Sequence, residues 1–194
     1  MQFVMPNDIP SPWKGFLEKL DTLLEEPVRL DCIGGFAVVM GYGLPRATND
    51  LDYRTLDPFN RINDLQRIAG PESPLAKEFG VYAQYTGVDS MPESYEDRLT
   101  ELFPCHFKNL RLFIPDPYDL VLSKLTRNID RDRQDVEYLA TTQKLDPAIL
   151  RERYKELIPN LIGPQARHDA TLEFWLEAYF ARVQDQQQDR QLNS

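Results

Sequence analysis

The sequence is poor in the two residue types that most often build metal and redox sites. Its 194 residues include only two cysteines, Cys32 and Cys105, and two histidines, His106 and His168. Cysteines so far apart in a chain of this length predict neither a disulfide framework nor a zinc site, and we expect both to be reduced and buried. The histidines lack metal-ligand spacing, so a histidine-centred catalytic or metal site is not expected.

Long apolar runs and an excess of basic residues are also absent. The longest apolar stretches are far shorter than the ~20 residues that cross a bilayer, and the first residues, MQFVMPNDIP, contain no basic segment followed by an apolar run. We therefore expect a cytoplasmic protein with no secretory signal and no membrane segment. The 22 basic and 31 acidic residues give a formal net charge of -9, which opposes diffuse attraction to nucleic acid, so any such contact must be local.

The chain does contain a mixed pattern of strands and helices, and its 42% hydrophobic residues are enough for an ordinary globular core. Alternation predicts strands at residues 28–33, 49–54, 81–85 and 105–114. Helical periodicity predicts helices at residues 13–24, 36–40, 57–68, 119–127, 135–140, 147–157 and 171–183, with a frayed tail beyond. We therefore expect an α/β domain over residues 1–115 and a helical domain over residues 116–194.

The most informative segment runs from Cys32 to Arg54. A predicted strand ends at Gly34 and Gly35, a short apolar helix follows, and the next strand carries Asp50 and Asp52. Alternate side chains of a strand share a face, so the two carboxylates are held a few ångströms apart. Such a pair is unfavourable unless a cation lies nearby, and Mg²⁺ prefers hard oxygen ligands of this kind.

Phosphate-binding features accompany the two carboxylates. Glycine lets backbone amides approach a phosphate closely, and the helix after Gly34 and Gly35 would direct its N-terminus at the anion. Arg46 offers a forked cation for phosphate oxygens, and Thr48 offers a hydroxyl. Each piece alone has an ordinary alternative, a solvated strand edge or a simple turn. Their order within about 20 residues favours a metal-and-nucleotide site.

These residues carry a resemblance to a known family. The stretch CIGGFAVVMGYGLPRATNDLDYR resembles the signature of the DNA polymerase beta-like nucleotidyltransferases, and most closely the AbiEii/MenA-like branch that includes bacterial toxin enzymes. The resemblance implies a nucleotidyltransferase-like α/β (α+β) fold, a mixed sheet with helices, followed by a helical C-terminal part. It also implies that Asp50 and Asp52 bind the divalent metal and that Gly34 and Gly35 belong to the nucleotide site.

A second block, DPYDLVLSKLTRNIDRDRQDVEYL, resembles a later block of the same branch. The resemblance implies that Lys124 and Arg131 contact nucleotide phosphate and that Asp132 or Asp135 supports catalysis or positioning, with Asp135 and Lys124 as the catalytic assignment. The sequence leaves open whether residues 128–134 continue the helix. If they do, Arg131 and Asp135 lie within about 20° of the face of Lys124. The alternative is a solvated face with ion pairs inside the helix.

A third carboxylate is usual in this superfamily, on a strand after the paired acids. Asp89, which follows the predicted strand 81–85, is one candidate, and an ordinary surface aspartate is the alternative.

The predicted function is Mg²⁺-dependent transfer of a nucleoside monophosphate from a nucleoside triphosphate (NTP) to an acceptor. By resemblance, the acceptor is the 3′ end of a tRNA or a protein side chain, and the protein is the toxin of a toxin-antitoxin pair with a cognate antitoxin as partner. Two alternatives stay open at this level. One is a non-catalytic nucleotidyltransferase-like binding module, and the other is a protein-interaction module built on the C-terminal helices.

Overall fold

The computed structural model describes residues 8–87 and 90–180, which group into two compact units. The sheet unit comprises the described residues up to 87 together with Arg98–Pro115, and the helical unit comprises Ser90–Asp97 together with the described residues from 116 onward. The predicted division into residues 1–115 and 116–194 stays a prediction. Asp89, the end of the predicted helix 171–183 and the predicted frayed tail lie outside the described residues.

The sheet unit is built on a mixed five-stranded sheet. Its elements in chain order are α1 (Trp13–Leu23), β1 (Val28–Ile33), α2 (Gly34–Tyr42), β2 (Asp50–Asp57), α3 (Ile62–Ala69), α4 (Pro74–Phe79), β3 (Tyr82–Tyr85), β4 (Thr100–Leu102) and β5 (Leu110–Ile114). The strand order is β3-β2-β1-β5-β4. β1 pairs antiparallel with β2 and parallel with β5, while β2–β3 is parallel and β4–β5 antiparallel. The predicted mixed α/β fold class is confirmed.

Several predicted elements of this unit are confirmed with shifted ends. The strand predicted at residues 28–33 is β1, and the helix predicted at 13–24 is α1. The strand predicted at 105–114 is wrong in its first half, because β5 begins at Leu110 and Cys105 has a φ of 64° that no strand residue adopts. Cys105 lies on this exposed turn, so the expectation that both cysteines are buried is wrong for Cys105 and confirmed for Cys32.

β2 contains one extra residue in the segment that pairs with β1. The pairing with β1 shifts in register at Arg54, which has no opposite residue between the flanking pairs. This β-bulge lets Tyr53 and Leu56, which an unbroken strand would direct to opposite faces, both bury in the core. Asp50 and Asp52 alternate with the buried Leu51 and Tyr53 and therefore lie on the other, polar face of the sheet.

The helical unit contains α5 (Pro117–Ser123), α6 (Asp130–Thr142), α7 (Pro147–Leu157) and α8 (Gln165–Trp175), and α8 continues into a π-helical turn, Leu176–Phe180. The helix predicted at residues 147–157 is confirmed, and its N-cap carboxylate, Asp146, accepts a hydrogen bond from the Ala148 N–H at 2.7 Å. The buried apolar residues of the four helices form the core of this unit.

Residues 124–129 separate α5 from α6, which answers the question that the sequence left open. The φ of Asn128 is 47°, a left-handed conformation that ends the helical path, and α6 begins two residues later at Asp130.

Among residues 8–87 and 90–180, none of the helices has the length and apolar character needed to cross a bilayer.

Candidate functional site

Asp50 and Asp52 occupy the start of β2 and face the same side of the sheet. Both side chains are partly exposed, whereas Leu51 and Tyr53 are buried on the opposite side. The strand alternation read from the sequence is therefore confirmed. The structure keeps two carboxylates at adjacent positions of one polar surface, which is an arrangement that attracts a cation.

Thr48 holds the first of these carboxylates. Its hydroxyl donates a hydrogen bond to Asp50 Oδ1 at 2.9 Å, and its carbonyl accepts one from the Trp13 indole N–H at 3.1 Å. Thr48 is itself buried, so the hydroxyl that the sequence assigns to a phosphate is directed at Asp50. Contact of Thr48 with nucleotide stays a prediction.

Two neutral side chains hold the second carboxylate. The Gln84 amide donates a hydrogen bond to Asp52 Oδ1 at 2.6 Å, and the Thr86 hydroxyl donates one to the same oxygen at 3.3 Å. Gln84 lies on β3 directly opposite Asp52 in the strand pairing. Neither residue is singled out by the sequence, because an isolated glutamine in a weakly patterned strand carries no signal until the pairing of β2 with β3 is known.

Gly34 closes the other side of the Asp52 carboxylate. Its φ is +66°, and a Cβ added to it would lie 2.8 Å from Asp52 Oδ2. Glycine is therefore favoured at this position both by its backbone conformation and by the space available. Gly34 and Gly35 form the first turn of α2, whose N-terminus has no side-chain cap. The N–H groups of that turn are consequently suited to donate hydrogen bonds to an anion.

Arg46 lies in the loop between α2 and β2. It lines a cavity of about 370 Å³ together with residues from the C-terminal half of α2, including Val39 and Met40, and its guanidinium nitrogens are buried. Gly34 lies at the opposite end of the nine-residue helix, about 12 Å away along the axis. The assignment of Arg46 to phosphate binding stays a prediction.

Lys124 and Asp135 form a buried ion pair inside the helical unit. The Lys124 ammonium donates to Asp135 Oδ2 at 2.7 Å and lies 3.9 Å from Asp132 Oδ1, and all three side chains are almost fully buried. The sequence leaves open a continuous helix in which these residues would share a face, but the turn between α5 and α6 produces the contact instead. Their assignment to catalysis and phosphate binding is not tested by this geometry and stays a prediction.

Arg127 forms the second half of the same network. It donates two hydrogen bonds to the Asp132 carboxylate, at 2.8 and 2.6 Å, and Asp132 also accepts one from the Ile129 N–H at 3.2 Å. Burial alone would raise the pKa of Asp132, but these hydrogen bonds and the charges of Lys124 and Arg127 outweigh it and lower the pKa. Arg131, by contrast, is exposed in the first turn of α6.

A third acid beside the pair is not supplied by β3, one of the two strands that flank β2. β3 has the sequence YAQY, so its residue opposite Asp52 is an amide. Asp89, the candidate named from the sequence, lies outside the described residues.

Cys32 is close to the pair, but burial, together with the charges of Asp31 and Asp52, raises the pKa of its thiol well above the usual value. We therefore assign Cys32 to packing, since burial disfavours the thiolate that a nucleophile requires.

The chemistry of the donor set fits Mg²⁺. Asp50 and Asp52 present hard carboxylate oxygens on one surface, and the missing side chain at Gly34 leaves open the space that a Cβ would fill next to Asp52 Oδ2. Among the residues that the structure describes, no group of three or more His, Cys, Asp or Glu side chains is arranged to hold a metal ion. A two-carboxylate site matches the preference of Mg²⁺ for keeping water and substrate phosphates as its other ligands.

A mixed sheet in which a glycine-started helix faces a strand with an Asp-x-Asp pair is the arrangement of a nucleotidyltransferase-like fold. Over residues 15–183, the chain matches the family described as nucleotidyltransferase of unknown function (DUF6036), and it belongs to that family. No curated protein and no solved structure matches the chain. The family supports the predicted nucleotidyltransferase class and a general role in nucleotidyl transfer, and it does not extend to the AbiEii/MenA-like branch.

Proposed function

We propose that this protein is an Mg²⁺-dependent enzyme that transfers a nucleoside monophosphate from an NTP to an acceptor hydroxyl. A bond forms between the acceptor oxygen and the α-phosphorus, the bond from the α-phosphorus to the β-phosphate oxygen breaks, and pyrophosphate leaves. The observation that carries the proposal is the packing of Gly34 against Asp52, which places an uncapped helix N-terminus beside a strand carboxylate pair.

In the sheet unit, one group of residues would bind the metal and another would bind the phosphates. Asp50 and Asp52 would hold Mg²⁺, which supplies neutralisation of the charge that develops on the phosphates. The backbone N–H groups at Gly34 and Gly35 would bind phosphate oxygens at the start of α2. Arg46 would add a cation to the same phosphates if its loop turns toward the nucleotide.

Lys124, Arg131 and Asp135 enter the proposal through the second sequence block. Arg131 is exposed and available to an incoming phosphate. Lys124 would contact phosphate only by exchanging its present partner, Asp135, for the substrate, so we assign Asp135 the role of holding the lysine between turnovers. Both assignments rest on the resemblance of the block and on the charge of these side chains.

The finer proposal is that the enzyme belongs to the AbiEii/MenA-like branch and acts as a toxin on the 3′ end of tRNA, with a cognate antitoxin as its protein partner. The support for this step is the resemblance of two separate blocks, one in each unit. A terminal ribose hydroxyl is one of the acceptors that in-line attack on an NTP can use.

The test of transfer is incubation with labelled NTPs, Mg²⁺ and a tRNA pool, followed by separation of labelled RNA and labelled protein. The natural protein is expected to label the acceptor, and Asp52→Ala is expected to abolish labelling. Asp57→Ala, which removes an exposed carboxylate from the end of the same strand, is the matched control and should retain activity. Equal labelling by the natural protein and Asp52→Ala would disprove the proposal.

The toxin role has a separate test. Expression of the natural protein in a bacterial host is expected to arrest growth, and expression of Asp52→Ala at the same level is expected not to. A small reading frame next to the gene, whose product restores growth when it is co-expressed, would supply the antitoxin. Normal growth with active, soluble enzyme would overturn the toxin role while leaving nucleotidyl transfer intact.

A further inference from the structure

We propose that Gln84 is a positioning residue that sets the orientation of the Asp52 carboxylate, an inference that rests on the proposed function. The two residues are opposite each other in the β2–β3 pairing, and the Gln84 amide donates to Asp52 Oδ1 at 2.6 Å. With Oδ1 held on the β3 side, Oδ2 is directed to Gly34, where it lies 2.8 Å from the position of an added Cβ.

The hydrogen bonds around the acid pair follow a common pattern. Oδ1 of Asp50 accepts a hydrogen bond from Thr48, as Oδ1 of Asp52 does from Gln84. Both donors are uncharged, so they fix the carboxylates without cancelling the negative charge that a cation requires. An arginine or lysine in the place of Gln84 would add a positive charge beside Asp52 and weaken the attraction of this carboxylate for a cation.

Thr86 supports the same oxygen of Asp52 more weakly, at 3.3 Å. It lies just past the end of β3, and its own N–H donates a hydrogen bond to the Tyr53 carbonyl at 2.8 Å, so both donors are anchored to β2 through the backbone. The hydrogen bond from Gln84 is the shorter of the two and therefore restrains the carboxylate more strongly. The geometry therefore assigns the main positioning role to Gln84.

Gln84→Met is the decisive variant, because methionine has nearly the same length and lacks the amide that donates to Asp52. We expect Mg²⁺ alone, titrated by calorimetry in the absence of nucleotide, to bind this variant about tenfold more weakly than the natural protein, as is usual when a group that orients a metal ligand is lost. Gln66→Ala, on the exposed side of α3, is the control.

A second measurement separates this inference from the proposed function. Side-chain couplings of Asp52 measured by NMR without metal should show one χ1 rotamer in the natural protein and an averaged value in Gln84→Met. If the natural protein and Asp52→Asn both fail to bind Mg²⁺, the metal site is wrong, yet the rotamer comparison still decides the role of Gln84. Unchanged Mg²⁺ affinity together with an unchanged rotamer in Gln84→Met would overturn the positioning role.

Discussion

Gly34 meets two separate requirements that a side chain would violate. Its φ is +66°, and an added Cβ would lie 2.8 Å from Asp52 Oδ2. Because the obstructing atom is the end of a rotatable side chain, we expect the carboxylate of Gly34→Ala to turn away and the rate of nucleotidyl transfer to fall by about 100-fold. The left-handed φ should lower the free energy of unfolding by about 1–2 kcal/mol, measured by denaturant titration.

Gly80→Ala separates these two effects. Gly80 has a nearly equal φ of +72°, and no atom lies within 4 Å of its added Cβ. We therefore expect this variant to lose a similar amount of stability and to keep its transfer rate. A parallel loss of activity in both variants would mean that backbone strain, and not displacement of Asp52, explains the effect at Gly34.

Asp132 provides a pH-dependent test of the buried network. Its pKa is lowered, because the hydrogen bonds from Arg127 and the nearby positive charges outweigh the effect of burial. The folded-state pKa is therefore below the unfolded value of about 3.9. Such a carboxylate stabilises the fold fully above about pH 4 and loses this contribution as the pH falls through the folded-state pKa.

Arg127→Leu should therefore destabilise the protein more at neutral pH than in acid. We expect a decrease in the free energy of unfolding of about 1 kcal/mol at pH 7, since the guanidinium is exposed and solvent screens it. The difference from the natural protein should shrink as the pH is lowered towards 2. Arg131→Leu, at an exposed position of α6, should show no such pH dependence, and a constant difference for Arg127→Leu would contradict the explanation.

At the scale of elements, Lys124 and Asp135 connect α5 to α6 across the turn that separates them. The two side chains are almost fully buried and 2.7 Å apart, so removing one leaves the other charge without this partner. We expect Lys124→Met to lower the free energy of unfolding by about 3–5 kcal/mol. The double variant Lys124→Met with Asp135→Leu should be clearly more stable than Lys124→Met alone, as measured by denaturant titration.

The same double variant also tests the proposed phosphate contact of Lys124. If the lysine binds phosphate during turnover, the double variant folds and does not transfer nucleotide. If the pair serves stability alone, the double variant folds and transfers at the natural rate. Additive losses of stability from the two single changes would show that the ion pair does not couple α5 to α6.

The elements that the sequence predicts best are those with strong local signals. β1 has a regular apolar pattern, and α7 begins with Asp146 followed by Pro147, so both were predicted with the observed bounds. α4 was missed, although Ser73 before Pro74 and Gly80 after its last residue are start and stop signals that could have revealed it. A six-residue helix surrounded by prolines and glycines has too few apolar positions to show a period.

The sequence predicts the residue types of the candidate site, but it does not predict all the contacts that hold them. Two carboxylates on one face follow from strand alternation, which operates within a single segment. The contact of Gln84 with Asp52 depends on which strand pairs with β2 and in which register, and that is decided by tertiary packing. The bulge at Arg54 cannot be predicted from the sequence for the same reason, since an extra residue is defined only by the pairing of β2 with β1.

For the molecule as a whole, charge limits the way in which a nucleic acid is bound. The formal net charge is -9, so no general attraction draws an RNA acceptor to the surface. If the acceptor is a tRNA end, affinity for it must come from a few basic side chains at the site. Each contact of this kind with a single-stranded phosphate contributes a slope of about -0.7 to the dependence of log affinity on log salt concentration.

If tRNA is the acceptor, its affinity should fall only gently with added salt, with a slope of about -2 that corresponds to two or three phosphate contacts. Arg131→Gln should weaken binding at low salt and reduce the slope by about 0.7, because an exposed guanidinium that releases a counterion is lost. Arg167→Gln, an exposed position on α8 outside both sequence blocks, should leave affinity and slope unchanged. Fluorescence anisotropy with labelled tRNA at salt concentrations of about 50 to 300 mM, over which the Debye length falls to less than half, checks both values. An unchanged slope in Arg131→Gln would exclude this arginine from the acceptor site and leave the phosphates of the NTP as its remaining target.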